Sequence, residues 1–340
     1  MLSEKNRFDQ VLSVISTRIK LILYQLNEKQ ITDLREIRLR VNRPLVLVTD
    51  SGSCFLTDKG KETKLFSESC VTVTAQEISD TVNRICNYSL HSNQQNINNG
   101  FVTINGGHRV GLVGTAVLNS DNTYNVKDIS SVNIRISRQV FGVSEIITEA
   151  LFQNELPNTI IAGPPSSGKT TVLRDLAYRI SSGFCFQYVK TVVVDERGEL
   201  SASQNGIPQN DLGLNTDILI NYKKSTAVEI AIRSMSPEYI IFDEIVSTED
   251  VNAIKTGLNS GIKFAVSVHA ENIDDLKEKQ IIKDLIETGF FDYAIILSSF
   301  PKVCTVKNIY KIEKKENEIN WIDIDSYLLC NDGSTFKITV

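Results

Sequence analysis

No apolar run in this sequence of 340 residues approaches the roughly 18 consecutive residues that a membrane-spanning helix needs. The first ten residues mix charges of both signs where a signal peptide would carry an apolar stretch, so no leader is expected. The six cysteines stand singly at positions 54, 70, 86, 185, 304 and 330. Without a Cys-x-x-Cys pair, zinc and dithiol chemistry are not indicated, and the thiols read as reduced and mostly buried. A strongly basic surface is also missing. The net charge is −5; residues 1–150 carry 17 Lys and Arg against 15 Asp and Glu, and the remainder 19 against 26. Basic residues are not interleaved with aromatics, which argues against a nucleic-acid partner. The densest basic run, Arg35, Arg38, Arg40 and Arg43, falls on a predicted strand and reads as a solvated edge. What remains is the balance of a globular chain, 41% apolar and 23% charged, large enough to bury a sizeable core. A cytoplasmic location is expected, with room for peripheral docking at the inner face of a membrane.

Two patterns divide the chain. Apolar residues at helical spacing (Phe8, Leu12, Ile15, Ile19, Ile22) predict one helix over 8–26. Residues 35–49 alternate and predict strands, interrupted or at an edge because of Pro44. Thr74 and Glu77 form a capping box ahead of Ile78, Val82 and Ile85, so a second helix starts there. Ser92–Asn99 reads as a loop. Residues 101–104 and 110–117 flank Asn105-Gly106-Gly107 and predict a hairpin, because such a tight turn needs positive φ. A strand at 132–136 ends this α+β domain, taken as residues 1–142. From about 155, short apolar strands alternate with helices, which predicts a parallel α/β sheet. Its strands are 159–162, 191–194, 239–242, 264–268 and 294–297, in a domain spanning 143–303. A β-rich extension, 304–340, follows, with strands at 303–312, 321–324 and 335–340. No internal repeat is evident.

The chemistry concentrates at strand ends. Strand 159–162 runs into Gly163-Pro164-Pro165-Ser166-Ser167-Gly168-Lys169-Thr170-Thr171 and then into a helix carrying Val172, Leu176 and Ile180 on one face. Glycines let backbone N–H groups wrap phosphates, and the positive end of the helix points at the same place. In this phosphate-binding loop Lys169 reaches the β- and γ-phosphates and Thr170 Oγ1 ligates magnesium. ATP and Mg²⁺ are the expected ligands. The apolar strand 239–242 ends in Asp243 and Glu244. Asp243 is the expected second metal residue, and Glu244 the base that takes a proton from attacking water. Strand 191–194 ends in Asp195 and Glu196, placed to orient water or the metal's outer shell. Strand 264–268 ends in His269, which shares a face with Ala265 and Ser267 and would sense the γ-phosphate. Phosphoryl transfer gains from a late-supplied cation. Arg233, ahead of the Asp243 strand, and Arg109, Arg135 and Arg138 in the first domain are the candidates.

In combination, these residues resemble the stage III sporulation protein AA family, which is related to the ATPases of type II and type IV secretion. The resemblance covers roughly residues 30–300. It rests on Gly163–Thr171, Val194-Asp-Glu-Arg197, Ile207-Pro208-Gln209, Thr216-Asp217-Ile218-Leu219, Ile232-Arg-Ser-Met-Ser-Pro237, Asp243-Glu244-Ile245 and Ser267-Val268-His269. Glu36–Arg40, Gly107–Gly111 and Asn133–Arg138 fit it as well. It implies an N-terminal domain on a RecA-like ATPase core, a homohexameric ring, and a role powering a membrane channel between mother cell and forespore. Asp195-Glu196 and His269 match the acidic and histidine boxes of secretion ATPases. The chain departs from the family at three places where an arginine is usual: Asn215, Val246-Ser247 and Asp292. Three cations lost near an ATP site imply weak hydrolysis or arginines supplied from elsewhere. The reading is therefore a ring-forming ATP hydrolase of secretion type. A nucleic-acid-dependent motor and a ring scaffold that binds ATP with little hydrolysis are the alternatives; a small-molecule kinase lacks an acceptor pocket in sequence.

Overall fold

Alternation builds the first unit. Ile37 and Leu39 of β1 (Leu34–Arg40) are fully buried, while Glu36, Arg38 and Arg40 between them face outward. The remaining elements of this unit are α1 (Glu4–Val14), α2 (Thr17–Leu23), α3 (Glu28–Asp33), β2 (Arg43–Pro44), β3 (Val46–Thr49), β4 (Gly52–Leu56), β5 (Glu62–Thr63), β6 (Thr72–Val73), α4 (Ala75–Ile85), β7 (Phe101–Ile104), β8 (His108–Leu118) and β9 (Tyr124–Arg135). Seven strands form one antiparallel sheet in the order β5-β4-β3-β1-β9-β8-β7. Its inner face and the helices enclose a core that includes Phe8, Leu12, Ile19, Val82 and Ile134. The computed structural model describes residues 4–86, 97–98, 100–118, 124–203, 206–300, 302–315 and 318–324. It divides after Arg138 into two compact units.

Several sequence expectations are met here and two are refined. Thr74 and Glu77 make the reciprocal capping box, and Glu77 also takes a 2.7 Å ion pair from Arg18. The hairpin forms with Gly106 and Gly107 at φ 88° and 73°. The helix expected over 8–26 is two helices, because Ser16 between them is extended and donates its N–H to Thr81 Oγ1 at 3.1 Å. The interruption at Pro44 takes the form of β2, which leaves the main sheet and pairs with β6 alone. Most of the loop expected at 92–99 lies outside the described residues.

His108 is fully buried in this unit, where its Nδ1 accepts the Ser137 N–H at 3.0 Å. Burial, and then the nearby Arg7 cation, push its pKa down to about 4. A folded value below the unfolded one means that the stabilisation is complete above about pH 6.5 and is lost as the pH falls through about 4, at most about 3 kcal/mol. His108→Asn, which keeps an acceptor for Ser137, is expected to flatten unfolding stability against pH in that window. Equal slopes in urea titrations of the two proteins would refute this.

In the second unit the apolar strands are short and buried on both faces, as parallel strands flanked by helices must be. The elements are α5 (Glu145–Leu151), β10 (Thr159–Gly163), α6 (Lys169–Ser181), β11 (Thr191–Asp195), β12 (Thr216–Ile220), α7 (Lys224–Ser234), β13 (Tyr239–Phe242), α8 (Thr248–Asn259), β14 (Lys263–His269), α9 (Ile273–Glu278), α10 (Gln280–Ile286), β15 (Tyr293–Ser298), β16 (Thr305–Lys315) and β17 (Glu318–Asp323). The sheet order is β12-β11-β13-β14-β10-β15-β16-β17. The first six strands run parallel, and β16 and β17 close the edge antiparallel. This is the parallel α/β sheet of a RecA-like fold, with apolar layers on both of its faces.

The unit boundaries differ from those read in sequence. Residues from 139 belong to the second unit: Gln139 exchanges hydrogen bonds with the Asp211 backbone, and Gly142 N–H and Ser144 N–H both reach the buried Asp175 carboxylate. Residues 305–315 and 318–323, expected in a separate extension, are edge strands of the second unit's sheet, anchored by buried Ile309 and Ile312. The strand expected at 335–340 lies outside the described residues.

Candidate functional site

The phosphate-binding loop leaves the carboxyl end of β10, a central strand whose five residues are all buried. Ser166 and Gly168 take positive φ, 59° and 95°, which turns the loop back toward the start of α6. A side chain at Gly168 would also run into Cys304 and Val303. The first N–H groups of α6 have no partner within the helix and give this end its positive character. Ser167 Oγ is buried and has no hydrogen-bond partner among the described residues. Lys169 folds back over the loop, with Nζ donating to Gly163 O at 2.8 Å and Pro164 O at 2.9 Å. Burial draws its pKa below the ordinary lysine value, against the pull of Glu244 and Asp243.

Register brings the other groups to this loop. Gly163 lies level with His269 on β14, and Phe242 of β13 lies level with Val266. Asp243 and Glu244 therefore emerge beside Ser267 and one strand from the loop. Ser267 Oγ donates to Asp243 Oδ1 at 2.9 Å and accepts the Glu244 N–H at 2.9 Å. Thr170 Oγ1 donates to Asp243 Oδ2 at 3.0 Å. One cleft is lined by Pro165, Lys169, Thr170, Glu199, Asp243, Glu244 and His269. Two hard oxygen donors, a lysine and outward-facing helix N–H groups suit a magnesium-bound polyphosphate. Among the described residues no group of three His, Cys, Asp or Glu could hold a metal by itself, so phosphate oxygens would have to complete the shell.

The acidic strand end behaves differently from its two carboxylates' expected role. Asp195 is buried and spends both oxygens on its own loop, accepting from Leu200 N, Ser201 N and Ser201 Oγ. Glu196 pairs instead with Lys224, at 3.3 Å. A smaller cavity behind the cleft is lined by Asp195, Glu196, Arg197, Lys224, Asp243 and Glu244. There Arg197 donates to Glu244 Oε2 at 3.0 Å. Glu244 itself sits at φ 37°, a left-handed conformation that is costly for a residue with a Cβ.

The expected arginines are not gathered at the cleft. Arg233 is at the far end of α7 from Lys224, about 14 Å along the axis, exposed and paired with Glu229. In the first unit, Arg138 is held by Ile31 O, Leu34 O and Glu4. Arg109 and Arg135 stay exposed and side by side on β8 and β9, the first over the Phe101 ring and the second 3.4 Å from Glu36. Two of the three family departures lie away from the cleft. Asn215 and Asp292 precede β12 and β15, level with the starts of β11 and β10. That is the amino edge of the sheet, four residues or about 13 Å from the loop. Asp292 has a structural task there, accepting the Asn158 N–H at 2.7 Å. Of the three departures only Val246-Ser247 follows directly on cleft residues.

Ser267, Glu199, Arg197 and Lys224 were not picked out as site residues from the sequence. Ser267 carried a signal: it is the lone hydroxyl in an otherwise apolar strand, two residues before His269.

Comparison with known proteins places the chain. The family model described as sporulation stage III, protein AA, matches residues 5–317, and the chain belongs to that family. Stage III sporulation protein AA of Bacillus subtilis (strain 168) is 37% identical over 303 residues, which is 89% of this chain and 94% of that protein. The protein ycf45 of Porphyra purpurea is 26% identical over 184 residues, 53% of this chain and 31% of its own. Among solved structures, the ATPase DotB of Yersinia pseudotuberculosis aligns with a TM-score of 0.50 at 13% identity, over 92% of this chain and 79% of that one. That likeness concerns the fold.

Proposed function

We propose that this member of the stage III sporulation protein AA family binds and hydrolyses ATP in the Lys169–Glu244 cleft. It would do so in a ring of its own copies, most simply a hexamer, that drives a secretion-type channel between mother cell and forespore. The observation that carries the reading is the convergence of Lys169, Thr170, Asp243, Glu244 and His269 on one cleft. Thr170 and Asp243 would hold magnesium, which supplies charge neutralisation at the phosphates when bound. Lys169 takes the β- and γ-phosphates once it leaves the Gly163 and Pro164 carbonyls. Glu244 accepts the proton of the attacking water, and His269 lies where it would meet the terminal phosphate. Asp195 shapes the loop that carries Glu196, so of that pair only Glu196 remains a candidate for a chemical role. DotB's description as an ATPase agrees with this reading. Membrane partners would have to supply the channel, since no helix among the described residues is long and apolar enough to cross a membrane.

Among the described residues, Lys169 is the only lysine or arginine lining the cleft. The charge that develops on the γ-phosphoryl group calls for a second cation, and one supplied in trans can raise the rate about 10³-fold or more. Specific activity is therefore expected to climb as copies assemble. Arg109 and Arg135 are the candidates left by their exposure, Arg138 being committed inside its own unit. Mixing Arg109→Ala or Arg135→Ala subunits with Glu244→Gln subunits should restore part of the activity. Flat specific activity across a hundredfold dilution that spans assembly in light scattering would refute the shared site.

A further inference from the structure

Lys224 opens α7, where the helix dipole disfavours a cation, and yet its side chain is only 7% exposed. A buried ammonium needs partners, and these come from three places in the chain. Its Nζ donates to Glu244 O at 2.9 Å, lies 3.3 Å from Glu196 Oε2 after β11, and lies 3.6 Å from Asp250 Oδ2 in the first turn of α8. Asp250 in turn accepts the N–H groups of Val246 and Ser247, at 3.0 and 3.1 Å. The turn that follows Glu244 is thus fastened at several points, and Lys224 is the one cation in the fastening.

The backbone of Glu244 makes the arrangement more than a buried salt bridge. Its φ of 37° does not hold itself in a residue with a Cβ. Ser267 Oγ takes its N–H and Lys224 Nζ takes its carbonyl, so both adjoining peptides are pinned by side chains from opposite sides. Arg197 holds only the carboxylate and is largely exposed, so it is free to let go when a nucleotide arrives. Lys224 is buried and holds the main chain, so its constraint persists.

We infer that Lys224 is a positioning residue for the hydrolytic water: it fixes the left-handed turn at Glu244 and thereby aims the carboxylate into the cleft. This rests on the ATPase reading above. A carboxylate misplaced by about 1 Å can cost on the order of 10²-fold in rate without loss of substrate binding.

The test compares the full chain with Lys224→Met, Lys224→Arg and Asp250→Asn. Steady-state phosphate release and equilibrium binding of a fluorescent ATP analogue are measured on each, and thermal unfolding serves as the folding control. Lys224→Met is expected to lose on the order of 10²-fold in kcat, with KM and nucleotide Kd within about threefold of wild type. Lys224→Arg, which can still donate to the Glu244 carbonyl, should recover part of kcat. Asp250→Asn keeps an acceptor for Val246 and Ser247 and leaves the Lys224–Glu244 bond in place, so it should lose less kcat than Lys224→Met. Wild-type kcat in folded Lys224→Met, or kcat and ATP affinity falling together, would overturn the inference. If Lys224→Met does not fold, Lys224→Gln takes its place, with the same split and a smaller loss. A wild type that releases no phosphate at all would instead sink the ATPase reading.

Discussion

Glu244→Gln is expected to bind ATP as wild type does and to release phosphate at least about 10²-fold more slowly, the loss typical when a positioned proton acceptor is removed. Glutamine keeps the shape of the side chain. Its amide oxygen can still accept from Arg197, and the main-chain bonds to Ser267 and Lys224 do not involve the side chain. The left-handed turn therefore persists, and what disappears is the basic oxygen. Binding survives because the loop, Lys169, Thr170 and Asp243 are untouched. Removing a carboxylate beside a polyphosphate also lowers repulsion, so ATP should accumulate on the protein and favour assembly. Filter-retained ATP and single-turnover phosphate release, measured on one preparation, check both halves. Near wild-type release would move the base elsewhere. Glu199, which lines the same cleft, and Glu196, behind it, would be the next residues to change.

Lys169→Ala should act at the earlier step and abolish tight ATP binding. The cleft carries Glu199, Asp243 and Glu244 against this one lysine. Without it, three carboxylates face a triphosphate, and magnesium alone must offset them. Losing a hydrogen-bonded cation from a partly buried charged contact weakens binding on the order of 10²-fold or more. The fold should tolerate the change, because in the free protein Lys169 Nζ bonds only to the Gly163 and Pro164 carbonyls, and these keep the Ala270 and Ser167 N–H groups as donors. Titration of the variant with a fluorescent ATP analogue and its unfolding temperature separate the two effects. Wild-type affinity in a folded Lys169→Ala protein would mean that the nucleotide sits elsewhere.

What the sequence disclosed follows from how contiguous each signal is. The loop from Gly163 to Thr171 encodes its own geometry, since the glycines, the lysine and the first helical turn are neighbours in the chain. Asp243, Glu244 and His269 were legible because an apolar strand that stops at a polar residue marks the carboxyl edge of a parallel sheet. β12 was not recognised as a strand: it is an edge strand, Thr216-Asp217-Ile218-Leu219-Ile220, of which only Leu219 is buried, so it lacks the apolar run of its neighbours. β16 and β17 were read as a separate extension because an antiparallel edge looks like any β-rich tail until its register with β15 is known. Position deceived in the opposite sense at Asn215 and Asp292. Both were counted at the ATP site, although strand direction puts them at the other edge. Lys224, Ser267 and Arg197 act through residues that lie 20 to 47 positions away, and only the folded sheet brings those pairs together.

The central claim is that this cleft hydrolyses ATP. Phosphate release from Mg²⁺-ATP by the purified full chain, with Lys169→Ala prepared identically as the blank, tests it most directly. The account predicts turnover well above the blank that disappears when magnesium is chelated and returns when it is restored. A wild-type rate equal to that of Lys169→Ala, at protein concentrations where the chain is assembled and binds ATP, would contradict it.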